Sequence, residues 1–310
     1  MKISIVIITY NSGLFIKECI ESLFVQSVVP DKIIVVDNNS KDETMGILNS
    51  YGNKLTIISL KYNSGYSEAA NIGIKNSMGN VVIISNPDVI YDNKFIKNIK
   101  KKFETNPEAD MISPLILRFD EKRIDSTGQF PSLSLFVKER GYNKKLENFK
   151  VNEDEIFSVC GACTVFKRES LEKLKLNDEY YDEDFFIFWE DFDIGWRAEL
   201  LGLRKIFFPG AIVYHYRSGT IKKTFISKIS LTLSRRKDIV YHIVKNRYLT
   251  LIKNFRLKRN FYNIPFILIK DILWLGFLIL TFRFSIIRLL KDRNLFKKAY
   301  LKRKIIKENE

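Results

Sequence analysis

Cysteine is scarce in this sequence, and its scarcity limits the compartment and the chemistry that the protein can have. The 310 residues include three cysteines, Cys19, Cys160 and Cys163, too few for a disulfide framework. Such a low count fits a reducing compartment. Cys160 and Cys163 have the spacing of a redox or zinc pair, but no second pair of Cys or His accompanies them. We therefore expect buried, unreactive thiols.

The glycine-rich loops of two common nucleotide-binding folds are also missing. Neither G-x-G-x-x-G nor G-x-x-x-x-G-K-[ST] follows the first predicted strand, which disfavours a dinucleotide-dependent dehydrogenase and a P-loop enzyme. A diphosphate bound without such a loop needs a metal ion or basic side chains. The N-terminus begins a strand at Ile3 without a basic and then apolar leader, so we expect a cytoplasmic protein.

Acidic residues are rare in the C-terminal third of the chain. The formal net charge is +15, and residues 217–310 hold 24 Lys and Arg against five Asp and Glu, whereas residues 1–216 have a net charge of −4. We predict that residues 219–310 form a basic, amphipathic helical extension that associates with an anionic membrane surface. The alternative is a pair of helices packed on the rest of the protein with solvated basic faces. Nucleic acid is disfavoured, because the aromatic residues are bunched with aliphatic ones.

The longest apolar run is too short to cross a bilayer. Ile272–Phe282 has 11 residues, against the roughly 20 that a spanning helix needs. Lys270, Asp271 and Arg283 bound this run, and Pro265 interrupts the segment before it. The pattern favours a segment that lies on the membrane, although residues 264–290 leave both arrangements open.

Four runs rich in β-branched residues organise the first half of the chain. They begin at Lys2, Ile33, Leu55 and Val81, and helical patterns separate them. This alternation predicts an α/β fold with a mostly parallel sheet and helices on both faces. The first, second and fourth strands lead into Thr9 and Asn11, Asp37 and Asp88. Since parallel strands end at the same edge, we expect these side chains to share the edge where ligands bind.

Asp88 follows the fourth strand on a turn stiffened by Pro87. A single carboxylate at this edge suits a divalent metal ion that carries a diphosphate, although Asn86-Pro87-Asp88 is also ordinary turn chemistry. His215 is one of two histidines, and it is either a satisfied core residue or a second metal ligand facing Asp88.

A second stretch, Tyr180–Arg197, embeds acidic residues among aromatic ones. Half-buried carboxylates are unfavourable unless they are paired or used. The spacing predicts a helix with acids in its first turn. One interpretation is a structural Asp193–Arg197 pair one turn apart. The other is a catalytic carboxylate with a raised pKa.

Twelve short motifs in the chain resemble those of glycosyltransferase family 2, most closely its rhamnosyltransferase-like branch. Each motif is weak alone, but together they are strongly specific, and they run in the family's order over about residues 3–220. The motifs are Val6–Asn11, Val36–Ser40, Asn63-x-Gly65, Ala70-Asn71-x-Gly73, Asn86–Val89, Asp125–Gly128, Gly161-Ala162, Arg168, Trp189–Asp193, Trp196-Arg197, Pro209–Ala211 and His215.

The resemblance implies a GT-A fold with a Rossmann-like sheet, a dTDP- or UDP-linked sugar donor, Mg²⁺ or Mn²⁺, and an inverting transfer. An inverting transfer is one displacement and needs one base for the acceptor hydroxyl. Position by position, the resemblance places the nucleoside at Thr9, Asn11 and Asp37, the donor pocket at Asn63 and Asn71, the metal at Asp88 and His215, the catalytic base at Asp191, and further substrate contacts at Asn86, Gly161, Trp189, Glu190 and Arg197.

Asn86 departs from the family's usual Asp-x-Asp metal motif, because it replaces the first acid. One carboxylate fewer implies weaker metal affinity. A retaining mechanism would need a second carboxylate nucleophile nearby, and proximity alone makes Glu190 and Asp193 candidates.

We expect residues 1–218 to form the catalytic domain, with a nucleotide-sugar-binding half over 1–106 and an acceptor and catalytic half over 107–218. The expected function is transfer of a sugar, with a rhamnose-type sugar favoured, to a glycan or polyprenyl-linked acceptor in bacterial surface polysaccharide synthesis. The expected location is the inner face of the cell membrane. The alternatives are a UDP-hexose donor, or a non-catalytic subunit that keeps the fold only for binding.

Overall fold

The chain folds around a sheet that runs through the whole N-terminal two thirds. The computed structural model describes residues 1–119, 123–217 and 237–310. Ten of the described strands form one sheet, and the remaining two, β8 and β9, form a separate hairpin. The strands are β1 Ile3–Thr9, β2 Lys32–Asp37, β3 Thr56–Ser59, β4 Val81–Ser85, β5 Val89–Tyr91, β6 Met111–Arg118, β7 Ile124–Ser126, β8 Gln129–Pro131, β9 Val137–Glu139, β10 Asp154–Glu155, β11 Cys163–Lys167 and β12 Lys205–His215.

The predicted parallel half of the sheet is confirmed. Its strands lie in the order β4-β1-β2-β3, and every pairing among them is parallel. Thr9 lies opposite Asp37, and Ile7 lies opposite Ser85. Strands β1, β2 and β4 therefore end at one edge of the sheet, as their buried β-branched residues and polar ends predicted.

The second half of the sheet is mixed. β11 runs antiparallel between β4 and β6, and β12 runs parallel to β6. β12 is one long strand, with a shift of register between Phe208 and Ile212 where Pro209 and Gly210 interrupt the ladder. β5 pairs with the end of β12, so that Val89 lies opposite His215.

Helices cover both faces of the sheet, as predicted, and apolar clusters fill the space on each side. All three cysteines are free and buried, which confirms their expected structural role. The helices are α1 Ile16–Phe24, α2 Thr44–Asn49, α3 Tyr66–Lys75, α4 Phe95–Thr105, α5 Arg168–Lys173, α6 Glu190–Leu200, α7 Lys237–Asn254, α8 Leu257–Asn260, α9 Ile264–Thr281, α10 Arg283–Lys291 and α11 Arg293–Asn309; single 3₁₀ turns lie at Gly52–Lys54, Leu146–Asn148, Glu183–Phe185 and Phe261–Asn263.

The basic C-terminal helices pack on α6 and on the segment before it through buried ion pairs. α7 packs against α6, α10 and α11. Lys253 on α7 reaches Asp193 at 2.9 Å and also pairs with Asp182. Lys302 on α11 pairs with the same Asp182 at 2.6 Å. The alternative of helices packed on the rest of the protein therefore holds for α7 and α11. Residues 219–236 of the predicted extension lie outside the described residues.

Helix α9 differs from these neighbours because its apolar side chains face solvent. Ile272 and Leu273 are 70% and 67% exposed. The continuous stretch Leu257–Thr281 is long and apolar enough to cross a membrane, with a mean hydropathy of 2.0 and 6% of its most apolar window buried. The apolar helix is longer than predicted, because Pro265 occupies its first turn and Asp271 is paired with Arg247 of α7 at 2.8 Å. It is apolar on most sides, not amphipathic as expected.

The buried cluster around Lys253 should be a main source of stability for the C-terminal helices. We predict that Lys253→Met lowers the free energy of unfolding by about 3 kcal/mol, because Asp182 and Asp193 each lose one of their two buried cations and keep only Lys302 and Arg197. The matched control is Lys298→Met, since Lys298 pairs with Asp184 at 3.3 Å but is 60% exposed. Lys298→Met should lower the free energy of unfolding by less than about 1 kcal/mol. Urea unfolding of both variants measures the difference, and equal losses would contradict the prediction.

Candidate active site

The turn after β4 holds Asp88 in a fixed, buried position. The backbone N–H of Asn86 donates to the carbonyl of Ala162 at 3.0 Å, and the N–H of Tyr216 donates to the carbonyl of Asp88 at 3.0 Å. Pro87 removes a backbone donor and stops the strand. The side chain of Asp88 is held at the carboxyl edge of the sheet beside the end of β12, as the sequence predicted.

His215 lies between two carboxylates. Its Nε2 is 3.2 Å from Oδ1 of Asp88, and its Nδ1 is 2.8 Å from Oδ2 of Asp125. The other oxygen of Asp125 is 2.8 Å from Nε of Arg217. Burial by itself lowers the pKa of His215, but hydrogen bonds to Asp125 and Asp88 outweigh it and raise the pKa to about 9. The histidine is therefore oriented by Asp125 and aimed at Asp88.

The pair Asp88–His215 fits a cation that a diphosphate shares. A carboxylate and an imidazole nitrogen are both ligands that Mn²⁺ accepts, and Mg²⁺ is commonly held by one or two carboxylates together with phosphate and water. Within residues 1–119, 123–217 and 237–310, no group of three or more His, Cys, Asp and Glu side chains forms a closed metal site. A cation here would need the diphosphate to complete its ligands.

The residues predicted to hold the nucleoside lie together at the ends of β1 and β2. Asp37 accepts hydrogen bonds from the N–H of Ser40 at 3.0 Å and from its hydroxyl at 2.5 Å. Asn11 donates its N–H to the same hydroxyl at 2.8 Å and adopts a left-handed conformation, with φ of 50°. The hydroxyl of Thr9 is buried and has no hydrogen-bond partner in the part of the chain that the structure describes. A buried donor of this kind is open to a ligand.

The two predicted donor-pocket residues, Asn63 and Asn71, differ in burial and in the number of hydrogen bonds that their side chains make. Asn63 is half-buried, and its side-chain oxygen accepts a hydrogen bond from the N–H of Gly65 at 3.0 Å. Asn71 is buried and fully bonded: its amide group donates to the carbonyl of Tyr181 and to Glu183, and its oxygen accepts from the N–H groups of Tyr180 and Tyr181. The geometry therefore makes Asn71 a tether for the segment before α6.

Asp191 lies in the first turn of α6 with three hydrogen-bond donors around it. Oδ2 accepts from the N–H of Gly161 at 2.8 Å and from Nε2 of Gln129 at 2.7 Å, and Oδ1 accepts from the N–H of Phe192 at 2.8 Å. Burial raises the pKa of Asp191, and these hydrogen bonds offset part of the rise. A held carboxylate with a raised pKa suits proton transfer.

Glu190 and Trp189 flank this carboxylate. Burial and the neighbouring charge of Asp191 raise the pKa of Glu190 to about 8. Its Oε2 is buried and makes no hydrogen bond among the described residues. The Trp189 ring lies against Phe136 and Phe192, with centroids 6.1 Å and 5.7 Å away. Glu190 thus has an oxygen available to a hydroxyl group.

Arg197 has a structural role instead of the predicted substrate contact. It is 1% exposed, and its Nε is 3.1 Å from Oδ2 of Asp193 one turn earlier. Its remaining donors reach the backbone carbonyls of Leu174 and Tyr180. For this pair the structural interpretation was right, since every face of the guanidinium is turned into the protein.

Short segments of backbone connect the Asp88 turn to Asp191. Gly161 and Ala162 are adjacent, and Gly161 donates to Asp191 while Ala162 accepts from Asn86. A Cβ atom on Gly161 would lie 3.0 Å from Oδ2 of Asp191, so glycine permits this close approach. The predicted binding residues Gly161 and Asn86 are therefore brought together with the carboxylate.

Sequence reasoning missed the roles of Asp125, Gln129 and Glu139. Asp125 orients His215, whereas Gln129 bridges Asp191 and Glu139, with its Nε2 2.8 Å from Oε1 of Glu139. Burial and the charge of Asp191 raise the pKa of Glu139 to about 7. The motif Asp125–Gly128 marked this segment in the sequence, but no role was assigned to its residues. Glu139 lay in none of the motifs.

Comparison with known proteins matches the chain to one family. The pattern of Glycosyl transferase family 2 matches residues 4–175, more than half of the chain. An uncharacterized glycosyltransferase, YwdF, of Bacillus subtilis is 31% identical over 64% of this chain and 68% of its own length. The N-acetylglucosaminyl-diphospho-decaprenol L-rhamnosyltransferase of Mycobacterium tuberculosis is 24% identical over 69% of this chain and 76% of its own length.

A solved structure supports the same fold at low sequence identity. The mannosyltransferase PcManGT from Pyrobaculum calidifontis, solved in complex with GDP-Man and Mn²⁺, superposes with a TM-score of 0.57 at 15% identity. The superposition covers 99% of this chain and 85% of that one. This likeness shows a GT-A fold. The fold agrees with the mixed sheet of this chain and with the predicted α/β class.

Proposed function

Since the chain belongs to glycosyltransferase family 2, we propose that it transfers a sugar, with a rhamnose-type sugar favoured, from a dTDP- or UDP-linked donor to a glycan or polyprenyl-linked acceptor. We place this reaction in bacterial surface polysaccharide synthesis, on the cytoplasmic face of the membrane. The rhamnosyltransferase relative, whose name includes a decaprenol-linked substrate, supports the choice of sugar and acceptor.

The environment of Asp191 carries the proposal for the reaction. An inverting transfer requires a base that removes the proton from the acceptor hydroxyl while the sugar–diphosphate bond breaks. The donors from Gly161 and Gln129 fix the orientation of Asp191, and burial raises its pKa towards the range where a base works. Glu190, with its unbonded oxygen, is placed to bind a substrate hydroxyl.

Asp88 and His215 would hold Mg²⁺ or Mn²⁺ against the donor diphosphate. When bound, such an ion neutralises charge on the departing nucleoside diphosphate. Asp125 donates no ligand but fixes the ring of His215, the arrangement common behind metal-binding histidines. Asn86 leaves this site with one carboxylate fewer than an Asp-x-Asp motif, so we expect modest affinity in the absence of donor.

Helix α9 and its basic neighbours support a membrane location. Its exposed apolar residues would contact lipid, and exposed basic residues of α11, such as Lys297 and Lys304, would face anionic head groups. This surface would bring a lipid-linked acceptor to the protein.

We predict that Asp191→Asn keeps donor binding but lowers the transfer rate by roughly a hundredfold to ten thousandfold, since the base is lost. The donor is first found with a thermal-shift panel of nucleotide sugars. Titration calorimetry then measures donor binding, and turnover measures transfer. In the wild type, turnover should rise with pH through a pKa above the ordinary aspartate range, because the base works when deprotonated.

The matched control is Asp178→Asn, an exposed carboxylate earlier in the same region, which should leave turnover unchanged. Near-normal turnover of Asp191→Asn together with an inactive Glu190→Gln would move the role of base to Glu190. Failure of every nucleotide sugar to bind would favour the non-catalytic alternative.

We predict that chelation of divalent metal weakens donor binding by roughly tenfold or more, because the diphosphate loses its counter-ion. Asp88→Asn should abolish the difference between Mn²⁺ and chelator, and Asn86→Asp should tighten Mn²⁺ binding by adding a carboxylate. Calorimetry with and without Mn²⁺ measures both effects. Equal donor affinity in Mn²⁺ and in chelator would argue against a metal at Asp88 and His215.

We predict that the protein sediments with vesicles containing phosphatidylglycerol and less with pure phosphatidylcholine. Replacing both Ile272 and Leu273 with Glu should greatly reduce binding to either vesicle, because charged side chains would enter the apolar layer. Leu14→Glu is the control, since Leu14 is 82% exposed but far along the chain from α9. Unchanged sedimentation of the double variant would exclude α9 as the contact.

A further inference from the structure

The segment directly before the catalytic helix has an unusual backbone. Phe186, Phe188 and Trp189 have φ angles of 67°, 69° and 73°. Left-handed conformations are uncommon for residues with a side chain and unfavourable for bulky ones. Trp189 is also the residue that precedes the first turn of α6, where Glu190 and Asp191 lie. Neighbouring parts of the protein must therefore hold this conformation in place.

One buried side chain of α7 bonds to most of this segment. Nδ2 of Asn246 lies 3.0 Å from the carbonyl oxygen of Phe185, 2.7 Å from that of Ile187 and 2.7 Å from that of Phe188. Asn246 is fully buried. Three carbonyl oxygens converge on this nitrogen, so the amide must point its NH₂ group at them. Helix α7 thereby supplies a hydrogen-bond donor to backbone carbonyls within and beside the left-handed residues.

The first turn of α3 also bonds to this segment. The carbonyl of Phe186 accepts a hydrogen bond from the N–H of Tyr66 at 2.5 Å. The ring of His242, one turn before Asn246, stacks on Phe186 with centroids 5.0 Å apart. The segment is thus fixed between the first turn of α3 and the middle of α7.

Helix α7 also contacts the catalytic helix beyond Asp191. Lys253 and Asn254 lie 2.9 Å and 2.8 Å from Oδ1 of Asp193. Asn246 therefore acts on the residues before Asp191, and the end of α7 acts on a residue after it. The carboxylate lies between two points that the same helix fixes.

We propose that Asn246 is a positioning residue for Asp191, and that helix α7, beyond the region 4–175 that the family pattern matches, is a required part of the active site. Asn246 touches neither the donor nor the acceptor in this role. It holds the Phe186–Trp189 backbone so that α6 begins where Asp191 meets Gly161 and Gln129. The role in turnover rests on the proposed function of Asp191 as the base.

The test replaces Asn246 with Asp, which keeps the shape but exchanges the NH₂ group for an oxygen facing three carbonyls. We expect kcat to fall roughly tenfold to a hundredfold while donor affinity stays within about twofold, because the base is misplaced and the nucleoside site is not. Hydrogen–deuterium exchange at residues 186–190 should become faster. Asn246→Ala, which introduces no buried charge, gives the same measurements if the Asp variant does not fold.

The matched control is Asn263→Asp. Asn263 is also a buried asparagine of the C-terminal region, and its amide donates to the carbonyl of Leu133 at 2.8 Å, away from the segment. This variant should keep wild-type kcat and wild-type exchange at residues 186–190, even if its free energy of unfolding falls.

The outcomes separate this proposal from the proposed function. Wild-type kcat and wild-type exchange in both Asn246 variants would overturn the positioning role while leaving the transferase intact. A fall in kcat with unchanged exchange at residues 186–190 would also overturn it. If the wild type transferred no sugar, the exchange measurement would still decide whether Asn246 holds the segment. Exchange at residues 186–190 that is no faster in the variants than in the wild type would show that it does not.

Discussion

The burial of acidic side chains just before and within α6 is the constraint on which the C-terminal half of the structure depends. A buried carboxylate is strongly unfavourable unless a cation and hydrogen bonds compensate it. Asp182 and Asp193 are almost fully buried, and Arg197, Lys253 and Lys302 supply the compensating charge. Two of these cations come from helices far along the chain. Part of the C-terminal positive charge is therefore used inside the protein, which joins the basic helices to α6 and the segment before it.

The same stretch contains acids whose pKa values differ in direction because of the charges beside them. Burial alone would raise the pKa of Asp182, but Lys253 and Lys302 hold it well below the ordinary carboxyl range. Among the described residues no cation pairs with Glu190 or Asp191, and burial raises the pKa of both. Divergent pKa values among neighbouring carboxyl groups are a mark of acid–base sites. The paired acids give α6 its position, and the unpaired ones remain able to exchange a proton.

Local patterns predicted the sheet well, because β-branched runs and polar strand ends depend on short-range chemistry. The family resemblance correctly placed Asp88 and His215 as neighbours. Local patterns did not report side chains that bond to backbone distant in sequence: Asn71 tethers Tyr181, and Arg197 reaches Leu174. No periodicity reports which carbonyl an amide will find, so Asn246 carried no signal. The length of α9 was underestimated because its internal Asp271 is neutralised by Arg247, a partner that hydropathy cannot register.

Adjacent residues of α7 connect the exposed apolar helix to the active site. Arg247 pairs with Asp271 of α9, while Asn246, the preceding residue, bonds to the segment before Asp191. An aromatic path runs beside this link, since Trp274 of α9 lies 5.1 Å from Phe136, and Phe136 lies 6.1 Å from Trp189. If α9 lies in the bilayer, α7 then fixes how far the base stands from the lipid. A soluble sugar acceptor would gain nothing from that fixed distance, whereas an acceptor anchored in lipid can reach Asp191 only at a set height above the membrane. The arrangement of α7 is therefore consistent with the proposal of a lipid-linked acceptor.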